Sequence, residues 1–254
     1  MRKVKIKGNN IIFNIYNPGG NITALVIDNN YDDCLKKIIN NYLLKKYSYV
    51  EQVGFIKNNN LEMAGGELCV NAVRCAIYYL KNIGRQLEIS ILNKKIIGEV
   101  SNDNCVSIKY YIDKRINDVI IDNYIVSFNG ISLIFLDKKE NDKLLNQIGD
   151  INIKSIMKDK IKKINIDNNA IGIVLINNNR IYPFIWVKDI DTLYFETACG
   201  SASIAYALLK FKKTKRTNYI IKQPSEYDYE INIINDKDRI KYILFKGIVE
   251  EYKV

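Results

Sequence analysis

Two cysteines, Cys69 and Cys199, stand where thiol chemistry is favoured. Each is flanked by small residues and followed by an apolar helical pattern, in the segments 65–75 and 195–203. A helix N-terminus carries unpaired N–H groups and a partial positive charge, which can lower the pKa of a thiol and bind a carboxylate. The backbone amides placed to bind such a carboxylate are those of Val70, Asn71, Gly200 and Ser201.

The sequence contains no histidine. This excludes Ser–His and Cys–His catalysis and every histidine-based metal site, so acid–base chemistry depends on Asp, Glu, Cys, Lys or Tyr. Two thiols on opposite sides of a cleft suit inversion of a stereocentre, because one removes a proton from one face while the other delivers a proton to the opposite face. Helix dipoles directed at the substrate carboxylate would stabilise the carbanionic transition state without a metal or pyridoxal phosphate. The pattern therefore predicts an enzyme that needs no cofactor and holds no metal.

The composition limits the classes of protein to which the chain can belong. The 254 residues suffice for one large or two modest domains, and 48% hydrophobic with 26% charged residues is typical of a globular protein. No apolar stretch approaches membrane length, and residues 1–8 alternate lysine with apolar residues, so we expect neither a membrane span nor a signal peptide. The odd number of cysteines argues against a disulfide framework. We expect a cytoplasmic protein with reduced thiols, of which Cys34, Cys75 and Cys105 act as small hydrophobic residues.

The net charge of +10 raises the alternative of a basic, non-enzymatic nucleic-acid-binding protein. Lysines are scattered along the whole chain, and the dense run Lys210 to Arg216 follows an apolar helical pattern, where cations complement the helix dipole. The sequence therefore favours a small amino acid as the partner over nucleic acid or a membrane, and leaves a homodimer open.

Hydrophobic periodicity predicts an α+β protein built from two similar halves. Helices are predicted over 32–47, 70–81, 142–157 and 200–212, among short strands that include 50–57, 120–128 and 182–187. Each half contains antiparallel strands and one helix introduced by a cysteine. We place the boundary near Asp118, which gives an N-terminal half over 1–118 and a C-terminal half over 119–254, the last strand being free to return to the first half.

At these motifs the chain resembles the diaminopimelate epimerase family of pyridoxal-independent racemases and epimerases. Ala198-Cys199-Gly200-Ser201 is similar to that family's Ala-Cys-Gly-Thr/Ser, and Cys69-Val70-Asn71-Ala72-Val73-Arg74 to its Cys-Gly-Asn-Gly-x-Arg. Pro18-Gly19-Gly20-Asn21, Glu51-Gln52, Asn60 and Gln223-Pro224-Ser225 resemble further family segments. The resemblance implies two pseudo-symmetric halves, each a β-barrel-like sheet around a central helix, with the site in the cleft between them. It also implies Cys69 and Cys199 as catalytic residues and a substrate-binding set of Asn21, Glu51, Gln52, Asn60, Glu67, Val70, Asn71, Glu196, Gly200 and Ser201.

The departures from the family concern the substrate. No arginine stands some nine residues before Cys199, where the family's Glu-Arg-Gly would hold a second carboxylate. Gly65-Gly66-Glu67 and Glu196-Thr197 resemble instead the histidine racemases that supply opine-type metallophore synthesis, and they would give a site rich in carboxylates. Histidine is the expected substrate. The alternatives are diaminopimelate, another amino acid, or an isomerisation with a carboxylate base, which the two cysteines disfavour.

Overall fold

The computed structural model describes residues 1–81, 85–112, 119–237 and 239–253, which form a mixed α/β fold with one large sheet. The helices are α1 (Asp33–Lys46), α2 (Val70–Tyr79), α3 (Lys138–Leu145), α4 (Ile153–Lys162) and α5 (Gly200–Thr214). The strands before residue 113 are β1 (Arg2–Ile6), β2 (Asn9–Asn17), β3 (Thr23–Ile27), β4 (Gln52–Lys57), β5 (Asn60–Met63), β6 (Leu87–Ile91), β7 (Lys94–Val100) and β8 (Cys105–Tyr111). Those that follow are β9 (Val119–Asp122), β10 (Ile125–Phe128), β11 (Ile131–Phe135), β12 (Ala170–Asn177), β13 (Arg180–Val187), β14 (Thr192–Phe195), β15 (Asn218–Lys222), β16 (Asp228–Asp236), β17 (Arg239–Ile248) and β18 (Glu250–Glu251).

The same order of strand pairings occurs twice along the chain. In the first repeat, β1 to β8, consecutive strands pair antiparallel except for β3–β4 and β5–β6, which are parallel. In the second repeat, β9 to β17, the parallel pairs are β11–β12 and β13–β15, with β14 added as a hairpin on β13. The helices α1 and α3–α4 make the first parallel crossover of each repeat, and α2 and α5 make the second. The two cysteine-headed helices therefore occupy equivalent places.

The ends of the repeats join them to each other. Strand β8 pairs antiparallel with β17, from Cys105 opposite Ile248 to Tyr111 opposite Tyr242. Strand β18 then pairs with Tyr16 and Asn17 of β2, so the C-terminal strands close the first repeat's sheet. The expected boundary near Asp118 lies in segment 113–118, outside the described residues.

Three clusters of buried side chains stabilise the fold. The largest surrounds α2 and α5 and draws residues from both repeats. The others lie between α1 and β1–β4, and between α3, α4 and β11–β13. Helix α1 shows how the sequence produces this packing: Asp32 caps its first turn by accepting from the amide of Leu35, and Ile39 and Leu43 are fully buried on one face. Each such side chain stabilises the fold by about 1.5–3 kcal/mol.

Two predicted elements are each divided in the structure. The strand expected over 120–128 is the hairpin β9–β10, because Asn123 adopts the positive φ of 42° that a two-residue turn requires. The helix expected over 142–157 is the pair α3 and α4, because Gly149, at φ 99°, lies between them in a conformation that a helix cannot continue through. Strands β5, β14 and β18 were not predicted from the sequence.

The remaining helices begin and end close to the predicted positions. The basic run Lys210 to Arg216 forms the last turns of α5 and the residues just after it. Among the described residues, no helix is long and apolar enough to cross a membrane.

Candidate active site

Cys69 and Cys199 are the N-cap residues of α2 and α5. Both have extended backbone geometry, and each Sγ accepts a hydrogen bond from the backbone amide three residues later, Ala72 at 3.3 Å and Ala202 at 3.4 Å. The first two amides of each helix, at Val70–Asn71 and Gly200–Ser201, have no acceptor among the described residues. The structure therefore gives each thiol the same local setting, a helix start with two free N–H groups.

The two helix starts are tied together by a reciprocal pair of hydrogen bonds. The Asn71 side chain donates from Nδ2 to the carbonyl of Ala198 at 3.2 Å, and the Ser201 hydroxyl donates to the carbonyl of Leu68 at 3.2 Å. Each donor lies two residues after one cysteine, and each acceptor is the residue before the other. The bonds hold the two N-termini against one another, and all four residues are buried.

Both thiols line one narrow cavity between the repeats. Eleven of the twelve predicted site residues line this cavity: Asn21, Glu51, Gln52, Glu67, Cys69, Val70, Asn71, Glu196, Cys199, Gly200 and Ser201. The apolar part of its wall includes Leu68, Ile131, Ile185, Val187 and Ile190. The cavity therefore offers backbone amides, carboxyl groups and two thiols to one small ligand.

Asn60 is the predicted site residue that the structure places elsewhere. It is the first residue of β5, pairs with Lys57 across the turn and with Ser90 of β6, and is exposed on a different surface pocket. Asn60 therefore does not line the cavity, and a role for it in substrate binding stays a prediction.

Two buried carboxyl groups dominate the electrostatics of the cavity. Burial raises the pKa of Glu196 to about 8, and burial likewise raises the pKa of Glu67 to about 7. Glu196 interacts with the Cys199 thiol and the Asn21 side chain, which favour its charged form, while Glu51 and Glu67 oppose it. One oxygen of each carboxyl, Oε2, has no hydrogen-bond partner among the described residues, and neither has Oδ1 of Asn21. Three acceptor atoms of the cavity wall are thus left for a ligand that donates hydrogen bonds.

Glu51 lines the same cavity, but its carboxylate has partners from the other repeat. Its Oε1 accepts from the Thr197 hydroxyl at 2.5 Å, and its Oε2 accepts from the Thr197 amide at 3.0 Å. Thr197 Oγ1 in turn accepts from the backbone amide of Asn21 at 2.7 Å. Glu51 therefore fixes the position of the segment that carries Glu196 and Cys199.

The pKa of each thiol lies above its ordinary value, whereas the helix-start setting alone predicted a lowered pKa. Burial is the largest cause for both cysteines, followed by the charge of Glu196. The amides of Ala72 and Ala202 act in the opposite direction but do not outweigh burial. The reason is that both helix starts lie deep inside the protein, beside the buried carboxyl group of Glu196.

Two residues that hold the site belong to the family-like segments of the sequence but were not predicted as site residues. The Gln223 side chain accepts from the amide of Cys199 at 2.9 Å and donates to Ser203 Oγ at 3.0 Å. Arg74 is fully buried, stacks on Tyr229, and donates to the carbonyls of Pro18 and Ile248. These side chains position the helix starts and do not face the cavity.

Tyr194 of β14 also lines the cavity and was not predicted. Burial raises its pKa to about 12, with the Glu67 carboxylate adding to the shift. No signal in the sequence distinguished this tyrosine from the other seventeen. Within the described residues, no three His, Cys, Asp or Glu side chains converge in a way that could hold a metal ion.

Most of the chain is similar in sequence to known histidine racemases. Residues 10–251 match the family model described as the histidine racemase CntK N-terminal domain. A histidine racemase from Fusobacterium nucleatum subsp. nucleatum is 32% identical over 243 residues, covering 87% of this chain and 89% of the relative.

Solved structures share the fold at low sequence identity. A putative phenazine biosynthesis PhzC/PhzF protein from Clostridium difficile has a TM-score of 0.56 at 10% identity, covering 96% of this chain and 97% of that one. A hydroxyproline epimerase from Agrobacterium vitis, with bound trans-4-hydroxy-L-proline, has a TM-score of 0.57 at 8% identity, covering 96% and 91%. These likenesses show a fold shared with PhzF and proline racemase-like proteins, and do not single out the diaminopimelate epimerase variant of it.

Proposed function

The chain belongs to the family defined by the histidine racemase CntK N-terminal domain, and we propose that it interconverts L- and D-histidine by proton transfer between two thiols. The observation that carries the proposal is the pair of thiols at the starts of two cross-braced helices, both lining one cavity. In this proposal the two strand repeats are diverged copies of a diaminopimelate epimerase-like half, divided in the segment that ends near Asp118.

The substrate carboxylate binds to the free amides of the two helix starts. Val70, Asn71, Gly200 and Ser201 supply these N–H groups, and both helix dipoles favour a negative charge at this point. As the α-proton leaves, charge spreads from the α-carbon onto the same carboxylate. The amides therefore bind the transition state more tightly than the ground state, which is the requirement for lowering the barrier.

The α-ammonium and imidazole groups bind to the unpartnered acceptors of the cavity wall. Asn21 Oδ1, Glu67 Oε2 and Glu196 Oε2 accept hydrogen bonds from these groups, which otherwise leave three buried oxygens unpaired. Diaminopimelate would place a second carboxylate among the same oxygens without an arginine to bind it. The cavity thus favours histidine over diaminopimelate.

Proton transfer uses one cysteine as a thiolate and the other as a thiol. One Sγ takes the α-proton from its face of the substrate, and the other Sγ delivers its proton to the opposite face. Reversing the roles gives the reverse reaction, so the chemistry uses the chain's own residues in both directions. An arriving α-ammonium offsets the Glu67 and Glu196 charges that raise the thiol pKa values, which helps one thiol to ionise when substrate binds.

The proposal is tested by incubating the purified protein with each histidine enantiomer in deuterium oxide, followed by chiral separation and mass spectrometry. Both enantiomers are expected in equal amounts at equilibrium, with deuterium at the α-carbon of the product. LL-diaminopimelate and a panel of other L-amino acids serve as comparison substrates under the same conditions. Faster turnover of diaminopimelate or another amino acid than of histidine would refute the substrate assignment. A cytoplasmic location, a role in metallophore synthesis and a homodimer remain predictions that this assay does not address.

A further inference from the structure

In the second repeat, a hairpin lies between strand β13 and the cysteine-headed helix α5. Strand β14 folds back on β13 through the turn Lys188–Ile190. In the first repeat the equivalent segment, residues 64–69, is described in full and contains no strand between β5 and α2. The helix starts of the two repeats are equivalent, so the hairpin is a difference between the two sides of the cavity.

Two polar side chains of the hairpin segment face the cavity. Tyr194 of β14 lies opposite Ile185 of β13, and both line the cavity. The amide of Glu196 donates to the carbonyl of Pro183 at 3.1 Å, which continues the pairing of the two strands past the end of β14. Alternate residues of a strand point to the same side, so Tyr194 and Glu196 both project into the cavity.

The Glu67 carboxyl group of the first repeat is held against the base of this hairpin. A Cβ atom on Gly65 would lie 2.7 Å from Oε2 of Glu67 and would collide with Cγ1 of Val187, the last residue of β13. The Gly65 carbonyl accepts from Nδ2 of Asn169 at 3.4 Å, and the Asn169 carbonyl accepts from the amide of Lys188 at 2.9 Å. Glu67 therefore reaches the cavity beside the hairpin of the opposite repeat.

The two buried carboxyl groups have different neighbours within the cavity. After burial, the charge of Glu196 contributes most to the raised pKa of Cys69, ahead of the charge of Glu67. The charge of Glu196 is also the second cause of the raised pKa of Cys199. At Tyr194 the order is reversed: after burial, the charge of Glu67 contributes most, and that of Glu196 contributes less. Glu196 thus lies beside the sulfur atoms, and Glu67 lies beside the tyrosine.

We propose that Glu67 and Tyr194 form the subsite for the side chain of the substrate and determine the specificity for an imidazole ring. Asn21 and Glu196, whose side chains interact with each other, bind the α-ammonium group. The assignment rests on the proposed racemisation and divides the acceptors of the cavity wall between two groups of the substrate. The ammonium group is bonded directly to the α-carbon between the two sulfurs, whereas the ring is attached through one further carbon atom and reaches the hairpin.

The chemistry of Glu67 and Tyr194 fits an imidazole ring. A neutral imidazole has one N–H donor and one acceptor nitrogen. Burial raises the pKa of Glu67 to about 7, close to the ordinary value of about 6.5 for an imidazole, so the carboxyl group and the ring form a hydrogen bond whichever of them holds the proton. Burial raises the pKa of Tyr194 to about 12, so its phenol stays neutral, and its ring and Ile185 offer an apolar wall to the face of the imidazole.

The test compares three L-amino acids as substrates of the intact protein: histidine, β-(2-thienyl)alanine, whose five-membered ring has no nitrogen, and alanine. The rate of α-hydrogen exchange in deuterium oxide gives kcat/KM for each. Glu67→Met removes the carboxyl group at similar length, and we expect kcat/KM for histidine to fall about tenfold relative to thienylalanine, the order of magnitude of one buried hydrogen bond. Tyr194→Leu removes the aromatic wall, and we expect kcat/KM of both ring-bearing substrates to fall about fivefold relative to alanine.

Matched variants separate this role from a structural one. Tyr182→Leu makes the same change on β13, at a tyrosine that packs against the cluster around α3 and α4, and should leave the ratios between substrates unchanged. Glu196→Gln acts on the ammonium group and should lower kcat/KM for all three substrates by similar factors. Glu67→Gln keeps a neutral hydrogen-bonding side chain and should recover part of the preference for histidine that Glu67→Met loses.

An equal fall for histidine and thienylalanine in Glu67→Met would overturn the proposal, and so would an effect of Tyr182→Leu as large as that of Tyr194→Leu. Failure of the proposed function gives a different result, in which the wild type exchanges the α-hydrogen of none of the three amino acids. Calorimetric titration with L-histidine then decides the assignment. Weaker binding to Glu67→Met than to the wild type supports the subsite, and equal or undetectable binding overturns it.

Discussion

Replacing Gly200 with alanine tests whether the distance between the two helix starts controls the reaction. A Cβ atom at Gly200 would lie 2.8 Å from Cβ and 2.7 Å from Cγ1 of Val70, and 3.1 Å from Oδ1 of Asn71. Carbon atoms in contact are normally about 3.5–4.0 Å apart. Because the nearest atoms lie at the base of a β-branched side chain on another helix, the two helix starts must separate by roughly 1 Å.

This displacement acts directly on the geometry of the two thiols. A misplacement of about 1 Å can cost about 100-fold in rate, so we expect the turnover of Gly200→Ala to fall by roughly that factor. The fold should survive, because the Gly-to-Ala change favours the helix by up to about 1 kcal/mol and offsets part of the steric cost. The assay is the initial rate of histidine racemisation by chiral chromatography, with thermal unfolding measured on the same sample.

The matched control is a double variant that adds a methyl group at Gly200 and removes the side chain of Val70 opposite it. In Val70→Gly/Gly200→Ala the new methyl group faces a glycine, so the helix starts can return to their original separation. We expect the double variant to recover most of the lost rate, and Val70→Gly alone supplies the baseline. Turnover of Gly200→Ala within about threefold of the wild type, or a double variant no faster than the single one, would refute the reasoning.

Four other outcomes are expected. Cys69→Ala and Cys199→Ala should each abolish histidine racemisation with circular dichroism unchanged, whereas Cys75→Ala, in the core beneath the site, should mainly lower the unfolding free energy by about 1 kcal/mol. Purified protein should show little or no epimerisation of LL-diaminopimelate by the same chromatography. Activity should survive dialysis against a chelator and treatment with hydroxylamine but fall after thiol alkylation; loss on chelation alone, restored by a metal, would contradict the mechanism. Burial raises the pKa of Glu67 from 4.5 to about 7 and that of Glu196 from 4.5 to about 8, so between these values the folded state binds more protons than the unfolded state. The contribution of the two carboxyl groups to the free energy of unfolding is therefore fully present at low pH and is lost as pH rises through about 8. Glu196→Gln should make the free energy of unfolding depend less on pH, measured by denaturant unfolding at a series of pH values.

Local sequence signals were sufficient to locate most of the site. The small residues before Cys69 and Cys199 and the helical spacing after them predicted two helix starts, and the structure has both cysteines as N-cap residues. Because a helix start always leaves amides unpaired, the anion-binding groups followed from the same signal. Glu67 and Glu196 lie within the same two motifs, so their presence in the cavity required no long-range information.

Contacts between segments that are distant in the chain explain which features of the site could not be predicted from the sequence. Asn60 lies outside the cavity at the start of β5, where it pairs with Ser90 of β6, a strand that comes after α2 in the chain. The direction of the thiol pKa shifts depends on burial between repeats, which local periodicity does not report. The same applies to Glu51: the resemblance implied that it binds substrate, whereas both its oxygens accept hydrogen bonds from Thr197, 146 residues away in sequence.

The repeated topology explains why two thiols can share one substrate and act on its opposite faces. Equivalent helices place a thiol and two free amides on each side of the cavity, and the bonds from Asn71 and Ser201 fix their separation. Two equivalent thiols on one cavity can share a single proton, because the charge of the first thiolate raises the pKa of the second thiol, and the pair then holds the one acid and one base that the reaction needs. The side chains next to the two sulfurs nevertheless differ: Gln52 accepts from the Cys69 thiol, and burial and the Glu196 carboxyl group hold the pKa of Cys199 above its ordinary value. The symmetry therefore resides in the backbone, and the difference between the two thiols in the side chains next to each sulfur.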